Sequence, residues 1–374
     1  MPMTGLLTGI ARYLRNLYTA MGRMDSVELS FFNGTRISHA IPTTAVLGKR
    51  QAALGVVRNL PDPVLFGLRA ALWLKYEHGL ERLCRKKGMD CFDLYHETAF
   101  TPAKFTGVPT VYSLYDLCLR RFRQTQPKER VWLFEHFIKT RLKYARHILT
   151  ISEFVRQEII WEFKVPPSMV TAIPLAPDPV FVPAPPGKVQ AVLDRYNLPA
   201  DYLVFVSSLE PRKNIDLLIH ALEKTNSDIP LVLVGWEGWG TKGWLSRLGS
   251  AALKNRIYFT GHVPDMDLTA IYTGALALIY PSLYEGFGLP IVEAMACGCP
   301  VICSNTASMP EVAGDAAVLI DPLDSDDLAG AIDLVVHDTS VRNNLVVKGF
   351  QQAGKFTWDS TAEKTLKLFE QVAK

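Results

Sequence analysis

The chain lacks a long apolar run. Nowhere do about 18 consecutive uncharged apolar residues occur, which excludes an ordinary membrane-spanning helix. Met1 is not followed by the basic stretch and apolar core of a signal peptide, so a cytoplasmic address is expected. Cysteine is sparse. The six thiols (Cys84, Cys91, Cys118, Cys297, Cys299, Cys303) are too few and too irregular for a disulfide framework in 374 residues, and all are expected reduced. Cys297, Cys299 and Cys303 cluster without a His or fourth Cys at zinc spacing, so they read as small core residues and no metal is expected. Short-period repeats and low-complexity tracts are also missing.

What is present is ample apolar material. At 48% hydrophobic residues, a chain of 374 can bury a large core, and its length favours two domains. The net charge of +3 conceals an asymmetry, because residues 1–180 hold 25 Lys/Arg against 15 Asp/Glu and residues 181–374 hold 15 against 22. The first half, at about +10, fits a phosphate-bearing acceptor or an anionic membrane surface; a solvated basic face accounts for it equally well. No nucleic-acid partner is expected.

From residue 203 onward, apolar runs (Leu203–Val206, Leu231–Gly235, Ile257–Gly261, Ala275–Tyr280, Val301–Cys303) alternate with amphipathic stretches such as Ile215–Lys224. That alternation predicts a doubly wound parallel α/β sheet. The first half repeats it less cleanly, with strand-like Val27–Phe32, Phe92–Tyr95, Thr110–Leu114 and Ile148–Ile151, and helices over 9–24, 128–146 and 153–163. The six prolines between Pro174 and Pro186 exclude a continuous helix or central strand and place a linker there. The predicted organisation is a Rossmann-like domain over 1–180, a second over 187–355, and a C-terminal segment over 356–374. Two such halves imply a cleft where a ligand touching both would bind. The stretch Val64–Lys87 predicts a helix, apolar through Leu74 and closing on Arg82, Arg85, Lys86 and Lys87. An interfacial helix and a buried helix with a dipole-complementing basic end both fit it.

The segment from Tyr280 to Pro300 (YPSLYEGFGLPIVEAMACGCP) runs from a strand end through a glycine loop into a helix. Pro290 suits a first helical turn and Gly298 its end. Gly286 and Gly288 let backbone approach a ligand, and the N–H groups of Phe287, Gly288 and Leu289 at a helix N-terminus favour a phosphate or a hydroxyl-rich sugar. Glu285 and Glu293 flank that cradle, and a carboxylate accepts paired hydrogen bonds from vicinal hydroxyls. A second candidate element, Ser207-Ser208-Leu209-Glu210-Pro211-Arg212-Lys213-Asn214, sets Arg212 and Lys213 at a strand's carboxyl end, where open α/β sheets bind ligands.

Glu285 and Glu293 separated by seven residues, with Gly-Phe-Gly-Leu-Pro between them, resemble glycosyltransferase family 4, the retaining family with the GT-B fold. Thr8 to Tyr13, His147 to Val155, Ile173 to Asp178 and Phe356 to Trp358 extend the likeness over most of the chain. The resemblance implies a nucleoside diphosphate sugar as donor, bound by Gly9, Ser208, Gly235, Phe287, Gly288, Leu289 and Glu293. Arg212 and Lys213 would neutralise the departing diphosphate, Glu285 would orient the hexose and Glu293 the ribose. Gly235 with Trp236 to Trp239 would border the base. No cofactor is implied. A general likeness to bacterial polysaccharide mannosyltransferases favours GDP-mannose, a saccharide or polyprenyl-linked acceptor, and a place at the inner face of the cell membrane.

Three departures from the family pattern stand out. Ser207-Ser208 replaces a common Gly-Arg, Tyr115-Asp116 replaces a His-Asp pair that touches the transferred sugar, and only seven residues precede Thr8. The last leads to the expectation that the first sheet lacks a strand, or that the start is truncated. His96 is the alternative sugar or acceptor contact beside Tyr115 and Asp116. A nucleotide-sugar epimerase or a non-catalytic subunit remains the rival reading at this point.

Overall fold

Short apolar runs, buried on both faces in the central strands and part exposed at the edges, make up the parallel sheets, as strands enclosed by helices require. The computed structural model describes residues 9–33, 36–41, 61–87, 92–236, 238, 253 and 255–374. The chain forms two units, one comprising residues up to Leu175 together with Trp358–Lys374, the other Ala176–Thr357.

In the first unit, β3 (Tyr95–Glu97), β4 (Thr110–Ser113), β5 (His147–Thr150) and β6 (Val170–Ala172) run parallel in sequential order. Tyr112, Ile148, Val155, Ile159, Phe134 and Ile138 pack the helices Lys128–Arg141 and Glu153–Phe163 onto one face. The helix Trp358–Ala373 belongs to this unit and lies against the helix Gly9–Met21: the Tyr13 and Trp358 rings are 6.0 Å apart, and Thr361 Oγ1 donates to Pro174 O at 2.9 Å. The strand expected over Val27–Phe32 shrinks to β1 (Phe31–Phe32), paired antiparallel with β2 (Ile37–Ser38) and outside the parallel sheet. None of residues 27–32 is buried, and Glu28 is exposed, so this stretch cannot serve as a central parallel strand. The expected helix over 9–24 ends at Met21 with Gly22 following, and that over 128–146 gives way at Arg141 to a 3₁₀ turn over Leu142–Tyr144. Thr8 and the residues before it lie outside the described residues.

In the second unit, six parallel strands take the order β12-β11-β10-β7-β8-β9, with β7 at Leu203–Val206, β8 at Leu231–Val234, β9 at Ile257–Gly261, β10 at Ala277–Tyr280, β11 at Val301–Ser304 and β12 at Val318–Ile320. The strand order reverses between neighbours β7 and β10, and at such a point the loops leaving the two carboxyl ends diverge and leave a crevice. The helix Ile215–Lys224 buries Ile215, Leu218, Ile219 and Leu222, spaced at three and four residues, against the sheet and the helix Ser325–His337.

Leu218 is fully enclosed in this core. Leu218→Ala is expected to lower the unfolding free energy by about 2–5 kcal/mol, measured by urea denaturation.

Candidate functional site

The two loops that leave β7 and β10 are stitched together before any charge is considered. The β7 loop closes in a 3₁₀ turn over Pro211–Lys213 and then passes through Asn214 in the left-handed region (φ 60°), which asparagine tolerates better than most residues. Asn214 Nδ2 donates to Pro281 O at 3.1 Å and Pro322 O at 2.7 Å, and Leu283 N donates to Arg212 O at 2.9 Å. The Arg212 and Lys213 side chains are thereby aimed at the β10 loop.

There they meet Glu285. Lys213 Nζ lies 2.5 Å from Glu285 Oε1, and an Arg212 guanidinium nitrogen lies 3.1 Å from Oε2. The same guanidinium reaches Glu210 Oε1 at 2.6 Å and donates to Tyr284 O at 2.5 Å. Lys213 Nζ also donates to the Tyr280 hydroxyl at 3.1 Å. Lys213 is 5% and Glu285 7% exposed, so two cations and two carboxylates share one buried patch. Burial pushes the Glu285 carboxyl up, but Arg212 and Lys213 outweigh it and hold it at about 2, well inside its ionised range. Burial and the neighbouring Arg212 pull the Lys213 ammonium below its usual range, and Glu285 opposes them.

Beyond Glu285 the loop turns at Gly288, whose φ of 98° a side chain would strain, and enters the helix Leu289–Ala296 with Pro290 in its first turn. Ser308 Oγ holds this loop from below, donating within reach of Glu285 O (2.8 Å) and Phe287 O (3.1 Å). Phe287 packs its ring edge-on to Phe356 at 5.6 Å. Glu293 sits in the second turn of the helix, 2% exposed, with the Tyr272 hydroxyl 3.5 Å from Oε2. At the end of β8, Gly235 has φ 145° and presses against the β7 loop so closely that a Cβ there would lie 1.8 Å from Ser207 O. Part-exposed Ser207 and Ser208 follow β7 directly. Trp236 is half exposed and stacks on His262 at 4.8 Å; residues 237 and 239, the latter part of the anticipated base-bordering loop, lie outside the described residues.

The remaining candidates lie in the first unit. Gly9 opens the helix Gly9–Met21. His96, in the middle of β3, has both ring nitrogens engaged: Nδ1 with the Tyr18 hydroxyl at 2.8 Å and Nε2 with Ser113 Oγ at 2.7 Å. Burial pushes its pKa down to about 3, so the ring is neutral. Tyr115 is buried between the rings of Tyr13 and Phe100, and its hydroxyl donates to Thr98 O at 2.9 Å. Asp116 is only part buried and accepts from Cys118 N at 2.9 Å. The structure thus brings Arg212, Lys213 and Glu285 into contact, and Ser208, Gly235 and Gly288 lie on the loops that follow β7, β8 and β10 of the same unit.

Sequence reading missed four residues that build the site. Glu210 is the second carboxylate on Arg212, Tyr280 shares Lys213, Asn214 ties the loops and Ser308 supports the β10 loop. Glu210 and Asn214 flank Arg212-Lys213 in sequence and were within reach of a closer reading; Ser308 is over twenty residues from the carbonyls it holds. Among the described residues no group of three or more His, Cys, Asp or Glu side chains converges as metal ligands, and no helix is long and apolar enough to cross a membrane.

Comparison with known proteins matches this architecture to one family. Residues 7–181 match the model "Glycosyltransferase Family 4" and residues 195–352 the model "Glycosyl transferases group 1". The O-antigen chain mannosyltransferase B of Escherichia coli is 32% identical over 99% of this chain and 97% of its own. The chain belongs to glycosyltransferase family 4 and is a glycosyltransferase. Its fold is GT-B: the lipopolysaccharide-biosynthesis glycosyltransferase WaaG superposes over 98% of this chain and 97% of its own with a TM-score of 0.68 at 14% identity. Anabaena Alr3699/HepE, solved in complex with UDP-glucose, superposes over 79% and 82% with a TM-score of 0.68 at 19% identity.

The buried ion cluster generates two expectations. Lys213→Met, which leaves the buried Glu285 carboxylate to Arg212 alone, is expected to cost up to about 3 kcal/mol in denaturant unfolding, with part of that loss recovered when Glu285→Gln is added. Because the folded Glu285 pKa of about 2 lies below its ordinary 4.5, its ionisation stabilises the fold above pH 4.5 and that stability is lost as pH falls towards 2. The contribution is about 3 kcal/mol. Unfolding free energies measured across this window are expected to fall less steeply in Glu285→Gln than in the unsubstituted protein.

Proposed function

We propose that the protein transfers a hexose, mannose in particular, from a nucleoside diphosphate sugar to a saccharide or lipid-linked glycan in the synthesis of a bacterial surface polysaccharide. The observation that carries the reading is the Arg212–Lys213–Glu285 cluster at the carboxyl ends of β7 and β10. The mannose assignment is supported by the mannosyltransferase activity for which the Escherichia coli relative is named, and that relative matches nearly the whole chain. The nucleotide-sugar assignment is supported by the UDP-glucose bound to the HepE neighbour.

In this reading Arg212 and Lys213 face the donor diphosphate. The acceptor hydroxyl attacks the anomeric carbon as the bond from that carbon to the phosphate oxygen breaks, and the acceptor proton passes to the leaving phosphate. Charge accumulating on the diphosphate is met by two cations already in position, which lowers the barrier without reorganisation. Attack occurs on the face from which the phosphate departs, so configuration is retained. Glu285 orients the hexose hydroxyls and Glu293 the ribose, while the N–H groups at Phe287, Gly288 and Leu289 and the Ser208 hydroxyl add donors to phosphate. Gly235 lets the β8 loop close on the same ligand. Asp116, the part-exposed member of its pair, contacts sugar or acceptor; Tyr115 and His96 support that corner through Thr98 and Ser113.

Glu293→Ala and Lys213→Ala, assayed as folded protein with GDP-mannose, are expected to lower kcat/KM by about 10²–10³-fold. Full activity in either variant would sink the site assignment. Product formed from another nucleotide sugar and none from GDP-mannose would overturn the mannose assignment while leaving the site intact.

A further inference from the structure

Glu97, the last residue of β3, takes no part in the transfer proposed above. It is only 2% exposed, and among the described residues no Lys, Arg or His side chain acts on it. A carboxylate buried without a cation is costly. Burial pushes its carboxyl up to about 7, although the hydrogen bonds it accepts from Ala99 N and the Tyr95 hydroxyl oppose the rise. An apolar side chain would fill the same space at less cost, so the carboxylate is accounted for by what it holds.

It holds the loop that leaves β3. Tyr95 and Glu97, two residues apart, point to one face of the strand. The Tyr76 and Tyr95 hydroxyls lie 2.7 Å apart, the Tyr95 hydroxyl donates to Glu97 Oε2 at 2.8 Å, and Glu97 Oε1 accepts from Ala99 N at 2.8 Å. Tyr76 stands on the helix Asp62–Lys87 and stacks on Trp73 at 5.1 Å, so the chain of bonds runs from that helix through the strand into the loop. Both neighbours of Ala99 are fixed as well. Thr98 O accepts from the Tyr115 hydroxyl at 2.9 Å, and Phe100 O from the Tyr112 hydroxyl at 2.7 Å. Three consecutive residues are therefore tied through their backbone by side chains from β3, from β4 and from the segment after β4, yet all three are part exposed. β3 and β4 are parallel neighbours with Glu97 opposite Tyr112, so this loop and the segment bearing Asp116 leave the same end of the sheet side by side. The Phe100 and Tyr115 rings meet there at 5.9 Å. It is the carboxyl end, where open α/β sheets take their ligands.

We propose that Glu97 is a positioning residue for the acceptor, holding Thr98, Ala99 and Phe100 in one conformation beside Asp116. Thr98 through its hydroxyl and Phe100 through its ring then meet an acceptor saccharide in fixed places, and the loop need not be ordered when the sugar arrives. The role rests on the transfer reading above, and it adds to Asp116 a second, rigid wall for the same substrate. Glu97 itself touches no sugar; it acts through Ala99 N.

Two measurements on the full-length protein test it: transfer from GDP-mannose to a mannose disaccharide on a water-soluble aglycone, and amide hydrogen exchange across residues 98–103. Glu97→Ala is expected to raise the acceptor KM about tenfold, the worth of one hydrogen bond to a charged group. The KM for GDP-mannose and kcat are expected to stay within about twofold, because the loop touches neither the donor nor the reacting atoms. Exchange across residues 98–103 is expected to quicken about tenfold in the same variant. Glu97→Gln keeps an oxygen for Ala99 N and a polar group for the Tyr95 hydroxyl, and is expected to restore both values. Should Glu97→Ala not fold, Tyr95→Phe, which keeps the ring and removes only the bond to Oε2, is expected to raise the acceptor KM about threefold and to quicken the same exchange. The proposal is overturned if exchange is unchanged in these variants, if the acceptor and donor KM values rise together, or if Glu97→Gln behaves as Glu97→Ala. An unsubstituted protein that transfers nothing from any nucleotide sugar would overturn the transfer reading and the acceptor role with it, whereas unchanged exchange would overturn the hold of Glu97 on the loop alone.

Discussion

Everything at the candidate site depends on one buried arrangement, the Glu285 carboxylate held between Lys213 and Arg212. Taking ions from water costs several kcal/mol each, and their attraction repays this only when hydrogen bonds complete the set. Here they do. Arg212 faces two carboxylates and a carbonyl, and Lys213 a carboxylate and a phenol. An apolar packing of similar volume would hold the two loops together at least as well, so the charges are a poor device for stability alone. Their position where the strand order reverses is a better account of why they are present. In the proposed reaction a diphosphate entering there would meet two cations that Glu210 and Glu285 hold in place.

This arrangement was largely legible in the sequence because its parts sit next to chain signals. Gly288 needs a positive φ, Pro290 opens a helix, and Arg212-Lys213 follow an unmistakable buried strand, so local chemistry places each group at a strand's carboxyl end. Which charge meets which was not legible. The Lys213–Glu285 contact spans 72 residues and exists only because β7 and β10 are neighbours, a fact of sheet order rather than of either segment. Ser308 illustrates the same limit: its hydroxyl acts on carbonyls, and any residue offers a carbonyl.

The first unit was harder to read for a different reason. Its strands, as short as those of the second unit, hold more polar residues, so His96 or Thr171 weighs heavily in so brief a pattern, and β6 passed unnoticed. The Val27–Phe32 segment has the alternation of a strand but not the burial. Tyr115 shows how residue type alone misleads. Its hydroxyl looked available for a sugar, yet the ring is packed among aromatics and the oxygen is spent on Thr98. By contrast the helix over 62–87 follows its composition closely, apolar first and basic after, and only its burial shows that Val64, Leu68, Leu72 and Leu74 face outward while Leu65 is buried.

The helix Trp358–Ala373 packs on the first helix of the chain although the whole second unit separates them in sequence. During synthesis, the second unit is complete once Thr357 has left the ribosome, whereas the first must wait for the final helix. The half of the molecule translated earliest is therefore the last to close its core. Until then its apolar surface at Leu14, Leu17 and Leu149 stays within reach of chaperones, and a ribosome that stalls between Thr357 and Ala373 leaves one finished unit tethered to one unfinished one.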